Sequence, residues 1–412
     1  QNVIEYQMCV HIFGAVSSPS IANFIVRRIA SNASSAVRET LFHNFYMDGC
    51  LKSVKSDDEA MQLISQMQVD FSKSGFHLTK YFSNSRNVME SIPVSDRSSD
   101  LQRDVMDMEY IPTTRTLGVI WDANTDKFGF AVNVRNHPAT RRGILAVTAS
   151  LYDPLGMIGP VVLEAKKILQ DACRDKSLNW DDPLSTKQTR EWQTWLKAIP
   201  QLDSVQIDRR FKHDSFEAEQ ELHVFADASS FAYGAVVYLK SKGSELTSVS
   251  FVIGKSRLAP MKTISVPRLE LTAAALAVKL AQLVKKELKR DLRVYFYTDS
   301  TIVLHSIRNE SKRFPVFVAN RISLIRDYSS PDQWQHVPSE LNPADDATRG
   351  LTPEQLLTSK WLRGPSFLKS GAAEWSEPGL MMNEMSFLTC ATDVIATVDP
   401  ISKLMNRYSE WS

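Results

Sequence analysis

The stretch Leu222-His-Val-Phe-Ala-Asp-Ala-Ser-Ser-Phe-Ala-Tyr-Gly-Ala-Val-Val-Tyr-Leu239 decides the fold. Apolar and β-branched residues in Leu222–Ala226 and Tyr233–Leu239 predict two strands, and Val249–Ile253 predicts a third. A long helix is expected over Pro267–Leu288 and a strand over Leu292–Thr298. Further helices are expected from Asp299 or Ser300 and over Val316–Asp327, then a strand over Gln333–Val337 and a last helix from near Asn342. Three strands followed by alternating helices and strands is the order of a mixed α/β sheet with flanking helices.

Four acidic residues fall at element ends in that frame. Asp227 follows the first strand, Glu270 opens the long helix, Asp299 follows the fourth strand, and Asp345 lies in the last helix. Strands joined by a helical crossover pair in parallel, so Asp227 and Asp299 are expected at the carboxyl ends of neighbouring strands, where open α/β sheets bind ligands. Four carboxylates converging there repel one another unless cations balance them. Oxygen ligands of this hardness select Mg²⁺ or Mn²⁺, and two such ions activate a water and stabilise the leaving oxygen of a phosphodiester. Each residue alone also has an ordinary reading: an Asp closing a strand forms turns, a Glu in a first helical turn complements the dipole, and Asp345 suits a solvated face.

Outward from this region, the 412 residues correspond to about two or three domains. Lys and Arg number 48 and Asp and Glu 47, a net charge of +1, so any nucleic-acid surface must come from local clustering. With 43% hydrophobic and 23% charged residues the chain is an ordinary folded protein, not a disordered or fibrous one. Cysteines at 9, 50, 173 and 390 are too scattered for a disulfide framework or a zinc site, and a reducing compartment is expected. The most apolar helical stretch, Leu269–Val284, is interrupted by Glu270, Lys279 and Gln282, so no membrane anchor is expected. The chain opens on Gln1 without a secretory layout and reads as a piece of something longer. Phosphate-cradling, nucleophile-elbow and zinc-protease motifs are missing from the sequence.

Breaker clusters divide the chain into four. Residues 1–110 are α+β, with helical segments around Ile21–Arg38 and Asp58–Ser72 and a strand-like Phe42–Met47. Residues 111–215 open on a strand-like Thr116–Trp121 and turn mostly helical; residues 216–350 carry the mixed sheet. Residues 351–412 read as a linker and a helical tail, with Asp399 and Pro400 opening a last short helix. Lys285, Lys286, Lys289, Arg290 and Arg293 cluster after the long helix, and Lys312 and Arg313 precede the third helix. Such cations suit the phosphates of a nucleic acid, but a Lys-rich helix end also complements the dipole or forms a solvated face. Gly234, inside a strand, marks either a close approach by a ligand or a bulge.

Ala226-Asp-Ala-Ser-Ser-Phe-Ala-Tyr-Gly-Ala235, Val266-Pro-Arg-Leu-Glu-Leu271, Tyr297-Thr-Asp-Ser300 and His336-Val-Pro-Ser-Glu-Leu-Asn-Pro-Ala-Asp345 together resemble the ribonuclease H domain of BEL/Pao-type LTR retrotransposon Pol polyproteins. The order Asp, Glu, Asp, Asp, at intervals of 43, 29 and 46 residues (270 − 227, 299 − 270, 345 − 299), is that of ribonuclease H, not of the related integrase core. Phe13-Gly-Ala-Val-Ser-Ser-Pro19 and Phe45-Tyr-Met-Asp-Gly-Cys-Leu-Lys-Ser-Val54 resemble late reverse-transcriptase palm motifs. Thr140-Arg-Arg-Gly-Ile-Leu145, Leu151-Tyr-Asp-Pro-Leu-Gly156 and Trp180-Asp-Asp182 resemble the thumb and connection.

The resemblance implies that Asp227, Glu270, Asp299 and Asp345 are catalytic ligands of two Mg²⁺ or Mn²⁺ ions and that the substrate is an RNA–DNA hybrid. It further implies an intracellular setting, cytoplasm or retroelement particle, and neighbouring Pol segments such as protease and integrase. The polymerase motif departs from the family: Tyr46 and Asp48 are followed by Gly49 where a second aspartate is expected, and an earlier catalytic aspartate would precede Gln1. Polymerase activity is therefore expected to be absent. The rival expectations are a decayed or domesticated nucleic-acid binder without catalysis and a structural connection scaffold.

Overall fold

The computed structural model describes residues 14–46, 49–98, 114–116, 119–130, 132, 137–211, 219–243, 247–311 and 313–370. Asp48, Lys312 and the helix expected after Asp399 lie outside them. The chain divides into two compact units, Gln1–Phe128 and Gly129–Ser412.

In the first unit, the helical period expected around Ile21–Arg38 is two helices, Ser18–Asn32 and Ser35–His43, separated at Ala33 and Ser34. A third helix, Asp57–Ser72, starts where the Ser56 hydroxyl accepts the Glu59 amide and three acidic residues meet the positive helix end. Val26, Ile29, Val37, Leu41, Met67 and Phe71 form the core between them. The run Phe42–Met47 is not one strand. Phe42 belongs to the preceding helix, and only Phe45–Tyr46 pairs, antiparallel, with Gly49–Cys50.

The second unit is built on a five-stranded sheet. Its strands are β1 (Glu219–Ala228), β2 (Ala232–Lys242), β3 (Thr247–Leu258), β4 (Arg293–Thr298) and β5 (Trp334–His336), in the spatial order β5-β4-β1-β2-β3. β4 runs parallel to both β1 and β5, while β1, β2 and β3 form an antiparallel meander. This is the mixed sheet expected from the sequence, with each of the first three strands longer at both ends than the apolar pattern alone indicated.

Alternation within β1 divides its side chains between two layers. Leu222, Val224 and Ala226 join Ala235, Val237 and Leu239 of β2 against the long helix Val266–Leu288, whose Ala273, Ala274, Ala277 and Ala281 allow close packing. His223 and Phe225 lie on the other face. There Phe225 and Tyr297 pack against Phe367, and the Tyr238 hydroxyl donates to the carbonyls of Lys360 and Trp361.

Those partners come from residues expected to be a linker. Residues 351–370 instead form three short helices, Pro353–Thr358, Lys360–Arg363 and Phe367–Ser370. Trp361 is fully buried, donates its indole N–H to the carbonyls of Gly156 and Met157, and fills space that a side chain on Gly254 would occupy.

The segment before the sheet contributes helices α1 (Arg141–Ser150), α2 (Gly159–Arg174) and α3 (Thr186–Ala198). Leu151–Gly156 ties this segment to the sheet edge. Asp153 accepts the amides of Met157 and Ile158 at 2.8 Å each, and the Gly254 amide of β3 donates to Leu155. Trp192 and Trp195 stack at 5.0 Å in the core, as their helical spacing predicts. Continuing the labels, the long helix is α4, followed by α5 (Thr301–Arg308), α6 (Val316–Tyr328) and α7 (Asp346–Arg349). Among the described residues no helix is long and apolar enough to cross a membrane.

Candidate nuclease site

β1 does not end before Asp227. It continues to Ala228, and Asp227 pairs across the sheet with Gly234. Thr298, the last residue of β4, is in register with Ala226, so the chain leaves the sheet at Asp299 beside Asp227. Glu270 sits in the second turn of α4, whose first turn is preset by Pro267. Asp345 is not inside the last helix: it ends the 3₁₀ turn Pro343–Asp345 and precedes α7. The reason is Asn342, whose side chain accepts the Ala344 amide and donates to the Ala226 carbonyl at 3.0 Å. That fully buried amide ties the Asp345 turn to β1.

The carboxylates sense one another. Burial, then the charges of Asp299 and Asp345, push Asp227 up to about 6, against a hydrogen bond from Thr348. Burial and the charges of Asp299 and Asp227 push Glu270 up to about 7, against a hydrogen bond with Ser300. Each acid also has a donor from its own chain. The Thr348 hydroxyl donates to Asp227, the Ser339 hydroxyl donates to Asp299, and Arg349 pairs with Asp345 at 2.6 Å. One oxygen is left over: Asp299 Oδ1 is buried and accepts no hydrogen bond.

Among the described residues, no group of three or more His, Cys, Asp or Glu side chains forms a ready-made metal cage. Mutual repulsion and the four local donors account for acids that are neighbours without being drawn together. The donor set nonetheless suits a hard divalent cation: only oxygen ligands, an orphaned buried carboxylate oxygen, and two acids whose charged forms are disfavoured until a positive charge arrives.

The basic cluster lies elsewhere. Lys285 and Lys286 lie in the last turn of α4, Lys289 caps it in the left-handed conformation, and Arg293 opens β4 at the end opposite Asp299, about 20 Å away along the strand. Lys285 pairs with Asp291 at 3.2 Å, Arg293 with Glu219 at 3.4 Å, and Arg290 donates to Gln220. Arg313 is exposed after α5. Nearer Glu270, Arg321 of α6 stacks at 3.4 Å on Phe317, with Arg268 over the same ring at 5.6 Å. Sequence reading passed over these arginines, and also Asn342, Thr348 and Arg349, because their partners are distant in sequence or had no assigned place. Gly234 is accounted for within the chain: a Cβ there would lie 2.7 Å from Cβ of Ala347 and 3.0 Å from the Lys255 carbonyl. The close approach is by α7, not by a ligand.

Residues 140–300 match the family model of the Pao retrotransposon-like RNaseH-like domain. That match begins at Thr140, so it takes in α1–α3 as well as the first four strands. Among solved structures, the chain is similar to LC11-RNase H1 in complex with an RNA/DNA hybrid, at 16% identity and a TM-score of 0.21, covering 31% of this chain and 93% of that one. It is similar to RNase H1 from the halophilic archaeon Halobacterium salinarum, at 15% identity and a TM-score of 0.21, covering 34% and 98%. A third likeness is to the foamy viral protease-reverse transcriptase in complex with dsDNA, at 12% identity and a TM-score of 0.20, covering 55% of this chain and 44% of that one. No curated protein matches.

Proposed function

We propose that the Pao-type RNaseH-like domain hydrolyses the RNA strand of RNA–DNA hybrids, using two divalent cations held by Asp227, Glu270, Asp299 and Asp345. The observation that supports this reading is that Asp227, beside Asp299 at the end of two parallel strands, and Glu270 are pushed up by burial and by neighbouring acids, Asp299 and Asp345 for Asp227, Asp299 and Asp227 for Glu270. Mg²⁺ or Mn²⁺ bound there supplies charge to lower the pKa of an attacking water and to stabilise the leaving oxygen. The chain's role is to hold four oxygen donors in a partly dehydrated cleft: Asp227 and Asp299 on strand ends, Glu270 on the crossover helix, Asp345 on the turn clamped by Asn342. The basic residues Lys285, Lys286, Lys289, Arg290, Arg293, Lys312 and Arg313 serve as distal phosphate contacts in this reading.

Residues 1–110 are read as the end of a reverse-transcriptase palm without polymerase activity, and 111–215 as thumb and connection, in a Pol polyprotein fragment of intracellular setting. A second reading is a binder that no longer cuts, in which Thr348, Ser339 and Arg349 hold Asp227, Asp299 and Asp345 as they stand. Incubating the chain with a labelled RNA–DNA hybrid, with and without Mg²⁺, tests both. Mg²⁺-dependent cleavage supports the nuclease, and hybrid retention without cleavage supports the binder. A chain that neither cuts nor retains the hybrid is left with the scaffold alone.

A further inference from the structure

α7 is only four residues long, yet it lies directly on β2 beside the proposed site. It can do so because Gly234, the partner of Asp227 in the β1–β2 register, has no side chain to hold Ala347 away. Two side chains then fasten the helix by its carbonyls, and its own last turn closes behind them. The Ser229 hydroxyl donates to the Thr348 carbonyl at 3.0 Å, the Ser256 hydroxyl donates to the Ala347 carbonyl, and the Gly350 amide closes the last turn on Asp346. The Thr348 side chain is not needed for any of them. It is fully buried, and its one hydroxyl proton faces two acceptors, an Asp227 carboxylate oxygen 121 positions away and the Asp345 carbonyl at 3.1 Å; the carboxylate, nearer and charged, takes it.

We infer that Thr348 is a positioning residue: its hydroxyl fixes the orientation of the Asp227 carboxylate and so decides which oxygen is offered to a divalent cation. A hydrogen bond to a buried carboxylate is strong and directional, so it fixes one rotamer of the side chain. Asn342 acts in the same way on the preceding residue of β1, holding the Ala226 carbonyl, so strand and turn are fixed from both sides of Asp227. The cation in this inference rests on the nuclease reading above; the hydroxyl–carboxylate hold does not.

The test uses the full chain with Thr348→Val, which keeps the shape and loses the donor, and Thr348→Ser, which keeps the donor. Mn²⁺ binding, followed by electron paramagnetic resonance without nucleic acid, is expected to weaken about tenfold in Thr348→Val. Hybrid cleavage is expected to lose kcat by a similar factor at unchanged KM, and Thr348→Ser restores both. A valine variant equal to wild type in both readouts, beside an active wild type, overturns the inference and leaves the nuclease reading intact. A wild-type chain that neither binds Mn²⁺ nor cuts removes the nuclease reading instead.

In that event a double-mutant cycle in chelator judges the hold itself. Thr348→Val lowers the unfolding midpoint in wild type and lowers it less in an Asp227→Ala background, where only the contact with the Asp345 carbonyl is left to lose. Equal losses in both backgrounds overturn the inference. Thr348→Ala takes the place of valine in the cycle if valine does not fold.

Discussion

Two glycines, Gly49 and Gly234, sit in paired strands, the first next in sequence to an aspartate and the second across the sheet from one, and their surroundings differ. Gly49 is in a hairpin of two-residue strands whose Tyr46 is 53% exposed, and a Cβ added to it meets nothing nearer than the Tyr46 carbonyl at 3.8 Å. Gly234 is on β2, an inner strand of the five-stranded sheet, opposite an Asp227 that is 6% exposed, and a Cβ there collides with α7. Space does not require glycine at position 49, whereas the seating of α7 requires it at 234. A carboxylate on a strand end is therefore only the start of a site. What distinguishes the Asp227 region is the packed surroundings that disfavour its charge and hold its neighbours close.

The largest expected effect breaks that surrounding at its charge. Asp299→Asn keeps shape and hydrogen-bonding capacity but removes one negative charge, and hybrid cleavage is expected to fall by on the order of a thousandfold, the equivalent of about 4 kcal/mol of charge stabilisation. In chelator the same variant is expected to unfold at the wild-type temperature or higher, because Asp227 and Glu270 each lose a like-charged neighbour. Cleavage at the wild-type rate, or a variant that simply unfolds, makes Asp299 a turn residue and returns the sheet end to the status of the hairpin.

A pH titration of stability is the next largest. Asp227, raised from 3.8 to about 6, and Glu270, raised from 4.5 to about 7, bind protons more tightly folded than unfolded. Between about pH 4 and 7 the folded state holds more protons than the unfolded state, so metal-free stability falls as pH rises through that window, by on the order of 3 kcal/mol per group at most. The stabilisation is fully present below the unfolded values and lost above the folded ones. Unfolding midpoints in chelator are expected to drop from pH 5 to pH 8, and saturating Mg²⁺ is expected to flatten the slope. A flat metal-free profile contradicts the burial, and with it the repulsion between the acids, that raises both groups.

How much of this was legible in the sequence depends on the range of the interaction. The strands were legible because Leu222, Val224 and Ala226 alternate toward α4, and α4 because Pro267 and a continuous apolar face define it. Asp299 was legible as the residue leaving β4, whereas Asp227 lies inside β1 and Glu270 in the second turn of α4. Asp345 was legible as a residue but not as a turn, because the clamp that makes the turn joins Asn342 to Ala226, 116 positions away. Residues 351–370 were unreadable for the same reason: Trp361 has no local partner, and its indole reaches carbonyls more than 200 positions earlier. The basic cluster was legible as charge, while its place at the far end of β4 followed only from the strand order.

The two glycines give a third, intermediate effect. Gly234→Ala is expected to cost about 1–3 kcal/mol, because its Cβ must push Ala347 away against a fixed strand. Gly49→Asp is expected to change stability by less than about 0.5 kcal/mol. Thermal unfolding of both variants checks the contrast, and a Gly49→Asp chain is expected to extend no primer, since the hairpin lacks the packed surroundings that the sheet end has. Primer extension by that variant reverses the reading of residues 1–110.

The smallest effect concerns the cations that sequence reading set against nucleic acid. Lys285 and Arg293 are engaged with Asp291 and Glu219 and stand a strand's length from the carboxylates. Exposed pairs of this kind contribute about 0–1 kcal/mol, so neutralising both residues leaves the fold intact. If they touch phosphates, the double variant Lys285→Gln, Arg293→Gln binds hybrid less tightly and its salt slope falls by about one to two, the share expected for two lost phosphate contacts. If they form a solvated end of α4, affinity and slope stay at wild-type values while cleavage continues. Filter binding of the hybrid across a salt series separates the two outcomes. It asks of the far end of the sheet what Asp299→Asn asks of the near end: whether charge placed by a strand is used or merely exposed.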